Sequence, residues 1–209
     1  KVVKNAKVLD VPLQNHAEDV QAVLINPPWG AAGKKGKVSI EEFKKNFSIP
    51  TSVMKDGLVF IWVEKELIYD VMKTFELNDF TYVENVCYIM LDQRKKEEID
   101  NSRDIDISDS YIREESQYLR KSKKTLLIFR RISQKKAKCT LELRHQRTCD
   151  VVFDWAVLNP SRSKDKINDD GIARSDEFKP NNYMYKIIET MLPKAMVTPD
   201  KKHIRLLEM

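Results

Sequence analysis

The stretch Val20-Gln21-Ala22-Val23-Leu24-Ile25-Asn26-Pro27-Pro28-Trp29 decides the fold. Residues 20–25 are apolar except for Gln21, as in a strand buried on both faces. Two consecutive prolines end it, because neither has an N–H to give a sheet ladder. In an open α/β sheet, ligands bind beyond the carboxyl ends of the strands, so Asn26 to Trp29 stand where a site is expected. The prolines would hold a rigid turn that leaves the Asn26 amide oxygen and the Pro27 carbonyl as acceptors for an exocyclic amino group. Trp29 could stack on the ring that carries that group, a geometry suited to adenine N6 in a flipped-out base. The competing reading is a strand-end turn capped by a packing tryptophan.

Working outward, strand and helix patterns alternate. Residues 39–47 read as a helix with Ser39 as N-cap and Glu42 three positions on, a capping-box signature. Gly57 opens the apolar strand Leu58-Val-Phe-Ile-Trp-Val63. Apolar residues at 67, 68, 71, 72 and 75 give the next helix, and residues 81–91 are β-rich. Residues 125–129 form a short apolar strand with an expected hairpin mate near 139–143. Residues 150–153 read as a strand, 183–192 as a helix and 203–207 as a closing strand. This alternation predicts an α/β fold, a mostly parallel sheet with an antiparallel edge hairpin and helices on both faces. A single domain over residues 1–209 is expected, with mobile or inserted loops near 92–118 and 159–178.

At 209 residues and 42% hydrophobic content, the chain is long enough to bury a core of its own. Its longest purely apolar run, 58–63, falls far short of the roughly 20 residues a membrane span needs. No secretory signal pattern opens the sequence, and because it begins at Lys1 an upstream piece is expected. Cys87, Cys139 and Cys149 are odd in number and scattered, which points to a reducing compartment rather than a disulfide framework. His16, His145 and His203 are isolated, so no metal site is expected. Gly30-x-x-Gly33-x-x-Gly36 does not open a convincing helix, and no phosphate-cradling Lys-Ser/Thr loop is present. Trp62 and Trp155 sit in strand patterns and read as core. Tyr111 and Tyr118 are candidates for stacking on a base, or for plain surface or partner contact.

The net charge of +5 is a near-cancellation of opposed segments. Residues 120–147 hold eleven Lys/Arg against the single Glu142, about +10 by formal charge, while residues 92–115 are net acidic. A basic strip of this kind is a solvated face, a contact for an acidic protein, or a phosphate-binding surface. On the last reading the nucleic-acid residues are Arg120, Lys121, Lys123, Lys124, Arg130 and Arg131, joined by Lys34, Lys35 and Lys37 after the proline motif.

In the order and spacing of its segments the chain resembles the eukaryotic adenosine N6-methyltransferase-like (MT-A seventy) family, along nearly its whole length. Lys4-Asn5-Ala6-Lys7-Val8-Leu9-Asp10-Val11 looks like that family's first cofactor segment, and residues 24–29 like its strand and catalytic motif. Asp56-Gly57-Leu58-Val59-Phe60-Ile61-Trp62-Val63 is similar to its next strand. Cys149-Asp150-Val151-Val152 looks like a late strand, and Lys179-Pro180 followed by residues 183–192 like its Lys-Pro helix. The resemblance implies a Rossmann-like class I methyltransferase fold, an S-adenosylmethionine site at Asn5, Ala6 and Lys179, and a catalytic motif at Asn26, Pro27, Pro28 and Trp29.

Several positions depart from the family pattern. Asn5 stands for an Asp, and Asn26 for the Asp of the catalytic Asp-Pro-Pro-Trp. The loop after the motif is small and basic where the family offers an aromatic. Ser122-Lys123-Lys124-Thr125 replaces Lys-Glu-His-Cys, and Leu206-Leu207-Glu208-Met209 stands where the family runs into Phe-Gly-Arg. Each missing polar group leaves a buried ligand atom unpaired at a cost of about 1–3 kcal/mol. The resemblance therefore implies a catalytically silent member that binds no cofactor. Such a member would pair with an active adenine methyltransferase paralogue as a heterodimer in the nucleus and help to hold nucleic acid, DNA before RNA. Two alternatives stay open: an active S-adenosylmethionine-dependent enzyme completed by flanking residues, and a nucleic-acid-binding module without a methyltransferase partner.

Overall fold

The computed structural model describes residues 20–101, 107–111, 113, 118–131, 141–145, 148–156, 183–195 and 206–208. Two compact units emerge. One contains residues 1–86, 125–149 and 182–209, the other residues 87–124 and 150–181.

In the first unit the strands are β1 (Ala22–Ile25), β2 (Gly57–Val63), the first half of β3 (Thr81–Asp92), most of β4 (Lys123–Arg131) and β6 (Leu206–Glu208). They lie in the order β3-β4-β2-β1-β6. β1 runs parallel to both β2 and β6, with Ile25 opposite Ile61 and Ala22 opposite Leu206. β2 and β4 are antiparallel, with Thr125 opposite Val63 and Arg131 opposite Gly57. Every residue of β1 and β2 is buried, so both faces of these strands are covered. That accounts for their unbroken apolar runs.

Helices α1 (Ile40–Asn46) and α2 (Ile68–Glu76) pack on one face. Phe43, Phe47, Phe75, Phe80 and Phe129 form an aromatic layer there, with Phe75 stacked on Phe129 at 4.0 Å between centroids. Such pairs contribute about 0.5–1.5 kcal/mol beyond their area burial. The α1 capping box forms as expected: Glu42 N–H donates to the Ser39 hydroxyl, and Ser39 N–H donates to the Glu42 carboxylate. Lys44 of α1 pairs with Asp70 of α2. Helix α4 (Tyr183–Met191) buries Met184, Ile187 and Ile188, which recur at helical spacing on one face.

In the second unit the latter half of β3 pairs in parallel with β5 (Val151–Ala156), Cys87 opposite Val151 and Asp92 opposite Ala156. The Tyr88 hydroxyl donates to the Asp154 carboxylate across this pair. A 3-10 turn, Gln93–Lys95, and helix α3 (Lys96–Asn101) follow β3, and a second 3-10 turn spans Ile107–Ser110.

The β1–β2, β1–β6 and β3–β5 pairs are parallel and the β2–β4 pair is antiparallel, and the α/β class holds. The edge hairpin does not. β4 lies between β3 and β2, and residues 141–145 are not a strand. Leu126, Leu127, Ile128 and Phe129 are all buried, so β4 needs cover on both faces and takes an interior place. The expected loop over 92–118 also contains more structure than its polarity indicated. The Lys96–Asp100 pair, one helical turn apart at 3.5 Å, supports α3.

Candidate functional site

The motif leaves the sheet at the end of β1, on the side where β2 also ends and where β4 enters opposite Val63. Asn26 is exposed there, as the first residue past the strand. Pro27 and Pro28 turn the chain sharply, and the Trp29 N–H donates to the Pro27 carbonyl at 2.9 Å. One of the two acceptors expected to hold an amino group is thus already bonded within the motif.

Trp29 is half-buried and faces the core. Its indole N–H donates to the Trp62 carbonyl at 2.8 Å. Its ring meets Phe43 edge-on, with centroids 5.2 Å apart. Of the two roles weighed for this residue, packing fits these contacts better than base stacking.

Residues 30–37 form a closed loop on this base. Gly30 N–H donates to the Val38 carbonyl at 3.1 Å, and Val38 N–H donates to the Pro28 carbonyl at 3.0 Å. Within it lie two consecutive turns, closed by Lys34 N–H to Ala31 carbonyl and Lys37 N–H to Lys34 carbonyl. Gly33 and Gly36 occupy the third position of each, at φ +76° and +74°. Their neighbours Ala32 and Lys35 keep negative φ, so both turns are type II, which require a residue such as glycine there. Lys34 and Lys35 are exposed and Lys37 is half-buried. The structure therefore brings Asn26, Pro27, Pro28 and Trp29 together with Lys34, Lys35 and Lys37.

The remaining basic candidates do not form one phosphate-facing strip. Arg131 is buried and faces inward. It donates to the carbonyls of Ile49 at 2.6 Å, Met54 at 3.2 Å and Asn78 at 3.0 Å. Its guanidinium lies 4.1 Å from the Phe80 ring centroid. Burial pulls it below its ordinary pKa, and Asp79 opposes that shift. This is a core role, and it corrects the reading of Arg131 as a phosphate ligand. Arg130 is largely buried and lies 3.8 Å from the Asp56 carboxylate. In the second unit Arg120 and Lys123 are exposed, Lys121 is half-buried and Lys124 is buried. Tyr118 is exposed, Tyr111 bridges Leu91, Trp62 is buried and Trp155 half-buried.

Asn5, Ala6 and Lys179, the positions implied for the cofactor, lie outside the described residues, as do His16, His203 and Cys139. Among the described residues no group of three His, Cys, Asp or Glu side chains is placed to hold a metal ion. No helix among them is long and apolar enough to cross a membrane. The loop beside the motif brings the positive charges of Lys34, Lys35 and Lys37, and S-adenosylmethionine is itself a cation.

Sequence reasoning missed the Asp92–Arg94 pair. The Asp92 carboxylate, nearly buried at the end of β3, accepts from Arg94 N–H, Nε and Nη2. The Arg94 hydrogen bonds hold its carboxyl below the usual range against the opposing cost of burial. The available signal was an Asp two residues before an Arg at a strand end, the local pattern of an Asx-type cap.

Compared with models of known families and with curated proteins, the chain matches none.

Proposed function

We propose that the chain is a catalytically silent subunit of methyltransferase type, with a Rossmann-like sheet. It would pair in the nucleus with an active adenine-N6 methyltransferase paralogue, in the manner of a noncatalytic subunit of a DNA adenine methyltransferase complex. It contributes to holding the nucleic acid and binds no S-adenosylmethionine itself. The resemblance of its ordered segments to the adenine methyltransferase family motivates the reading.

One observation carries the silence. The aromatic of the Asn-Pro-Pro-Trp motif is bonded through its indole to Trp62 and set edge-on to Phe43. A ring held in this way is a poor platform for a flipped base, which needs an open face. The engaged Pro27 carbonyl and the lysine-bearing loop after the motif point the same way.

The rival reading, an active enzyme, has the exposure of Asn26 in its favour. Asn26→Ala in the complete complex with the catalytic paralogue separates the two. Turnover unchanged supports a silent subunit. Turnover abolished with assembly intact supports catalysis by this chain.

A further inference from the structure

We infer that residues 30–37 form a preorganised cradle for the phosphodiester backbone of nucleic acid, with Lys34 and Lys35 as its cationic contacts. The inference deepens the reading above and rests on its nucleic-acid half: it moves the backbone contact from the β4 strip to the loop after the proline motif.

Three observations carry it. First, the loop is braced at its base. The Gly30–Val38 and Val38–Pro28 hydrogen bonds close it, and the Trp29 indole ties that base to β2. Little ordering entropy then remains to be lost on binding. Second, the tandem type II turns repeat the pattern x-x-Gly-Lys, so the same backbone geometry places Lys34 and Lys37 at the turn ends, with Lys35 between. A Cβ at Gly33 or Gly36 would have no neighbour within 4 Å. These glycines serve the turns and leave the outer surface of the loop open to a ligand. Third, no acidic residue lies in residues 30–38. Glu41 and Glu42, the nearest acids along the chain, lie in the first turn of α1: Glu41 is exposed, and Glu42 is turned to the capping box, where it bonds Ser39. The α1 start is thereby closed to anions, and the lysines are left as the phosphate-seeking groups of this segment.

Arg130 and Arg131 lack this freedom. Arg131 bonds three backbone carbonyls, and Arg130 faces Asp56. Density of charge along the chain overstated β4 and understated the loop.

The test uses the full chain and a fluorescently labelled DNA duplex, with binding followed by anisotropy across a salt series. Each phosphate contact to duplex DNA contributes about 0.9 to the slope of log K against log salt. The double variant Lys34→Gln/Lys35→Gln is expected to lower that slope by about 1.8. The variant Gly33→Ala/Gly36→Ala keeps every charge and meets no neighbour, yet strains both turns. It is expected to weaken binding at fixed salt by about threefold or more. A Lys34→Gln/Lys35→Gln slope equal to that of the unmodified protein overturns the proposal, as does an unmodified chain that fails to bind duplex at low salt. Unchanged affinity in the glycine variant overturns the preorganised cradle. S-adenosylmethionine binding by the chain would end the silent-subunit reading and leave these slopes as they are, so the two failures are distinguishable.

Discussion

The indole N–H of Trp29 donates to the carbonyl of Trp62 at 2.8 Å, fastening the residue that closes the proline turn to the interior of β2. Trp29→Phe keeps ring packing against Phe43 and loses only this donor. Its cost is expected at about 1 kcal/mol, the usual worth of one such bond. Trp29→Ala, which also empties the packing site, should cost about 2 kcal/mol or more. Denaturant titration measures both. A Trp29→Phe protein as stable as the unmodified one would mean that the indole is loosely held, and base stacking would become tenable again.

Arg131→Met removes the donors from three backbone carbonyls, those of Ile49 and Met54 in buried hydrogen bonds and that of Asn78 in a part-buried one. Buried acceptors left without donors are costly, so a loss of about 3 kcal/mol is expected in denaturant titration. Affinity for duplex DNA should change little, because the guanidinium faces Phe80 and not solvent. A stable Arg131→Met protein with weakened DNA binding would restore the sequence-level reading of this residue.

These two residues mark where the sequence was legible. β1, β2, α1 and α2 could be read because their periods and caps are local: continuous apolar runs, one capping box, one 3.6-residue stripe. Thr125 to Phe129 was legible as a strand but not in its place. Its neighbours are set by long-range pairing, which the spacing of the chain does not encode. The unbroken apolar run was in fact the sign of an interior position. Arg131 was misread because a cation beside other cations counts as surface until its partners are known, and those partners are main-chain carbonyls 53 to 82 residues away. At the site, the strand-end position of the motif was legible. The direction of the Trp29 ring was not, because it depends on a carbonyl of another strand.

The capping box of α1 gives a local test. Ser39 is buried and its hydroxyl accepts from Glu42 N–H. Ser39→Ala should cost about 1 kcal/mol, and Ser39→Asp should recover part of it, as N-cap preferences require. Equal stability of all three proteins would show that the cap contributes nothing here.

Asp92 supplies a pH dependence. Hydrogen bonds from Arg94 lower its folded-state pKa, so the folded protein holds the ionised form more tightly than the unfolded chain does. Its contribution is complete above the ordinary Asp value of about 4 and is lost as the pH falls through the lowered folded value. Asp92→Asn should therefore destabilise the protein at neutral pH, and the difference from the unmodified protein should shrink in acid. Stability compared at several pH values checks this. A difference that stays constant down to strong acid would remove the pair as its cause.

The silence of the Asn26-Pro27-Pro28-Trp29 site is tested most directly by isothermal titration of S-adenosylmethionine into the full chain. With Trp29 bonded to Trp62 and lysines beside the motif, no micromolar binding is expected, and heats should match those of dilution. Saturable micromolar binding at one site per chain would contradict the account.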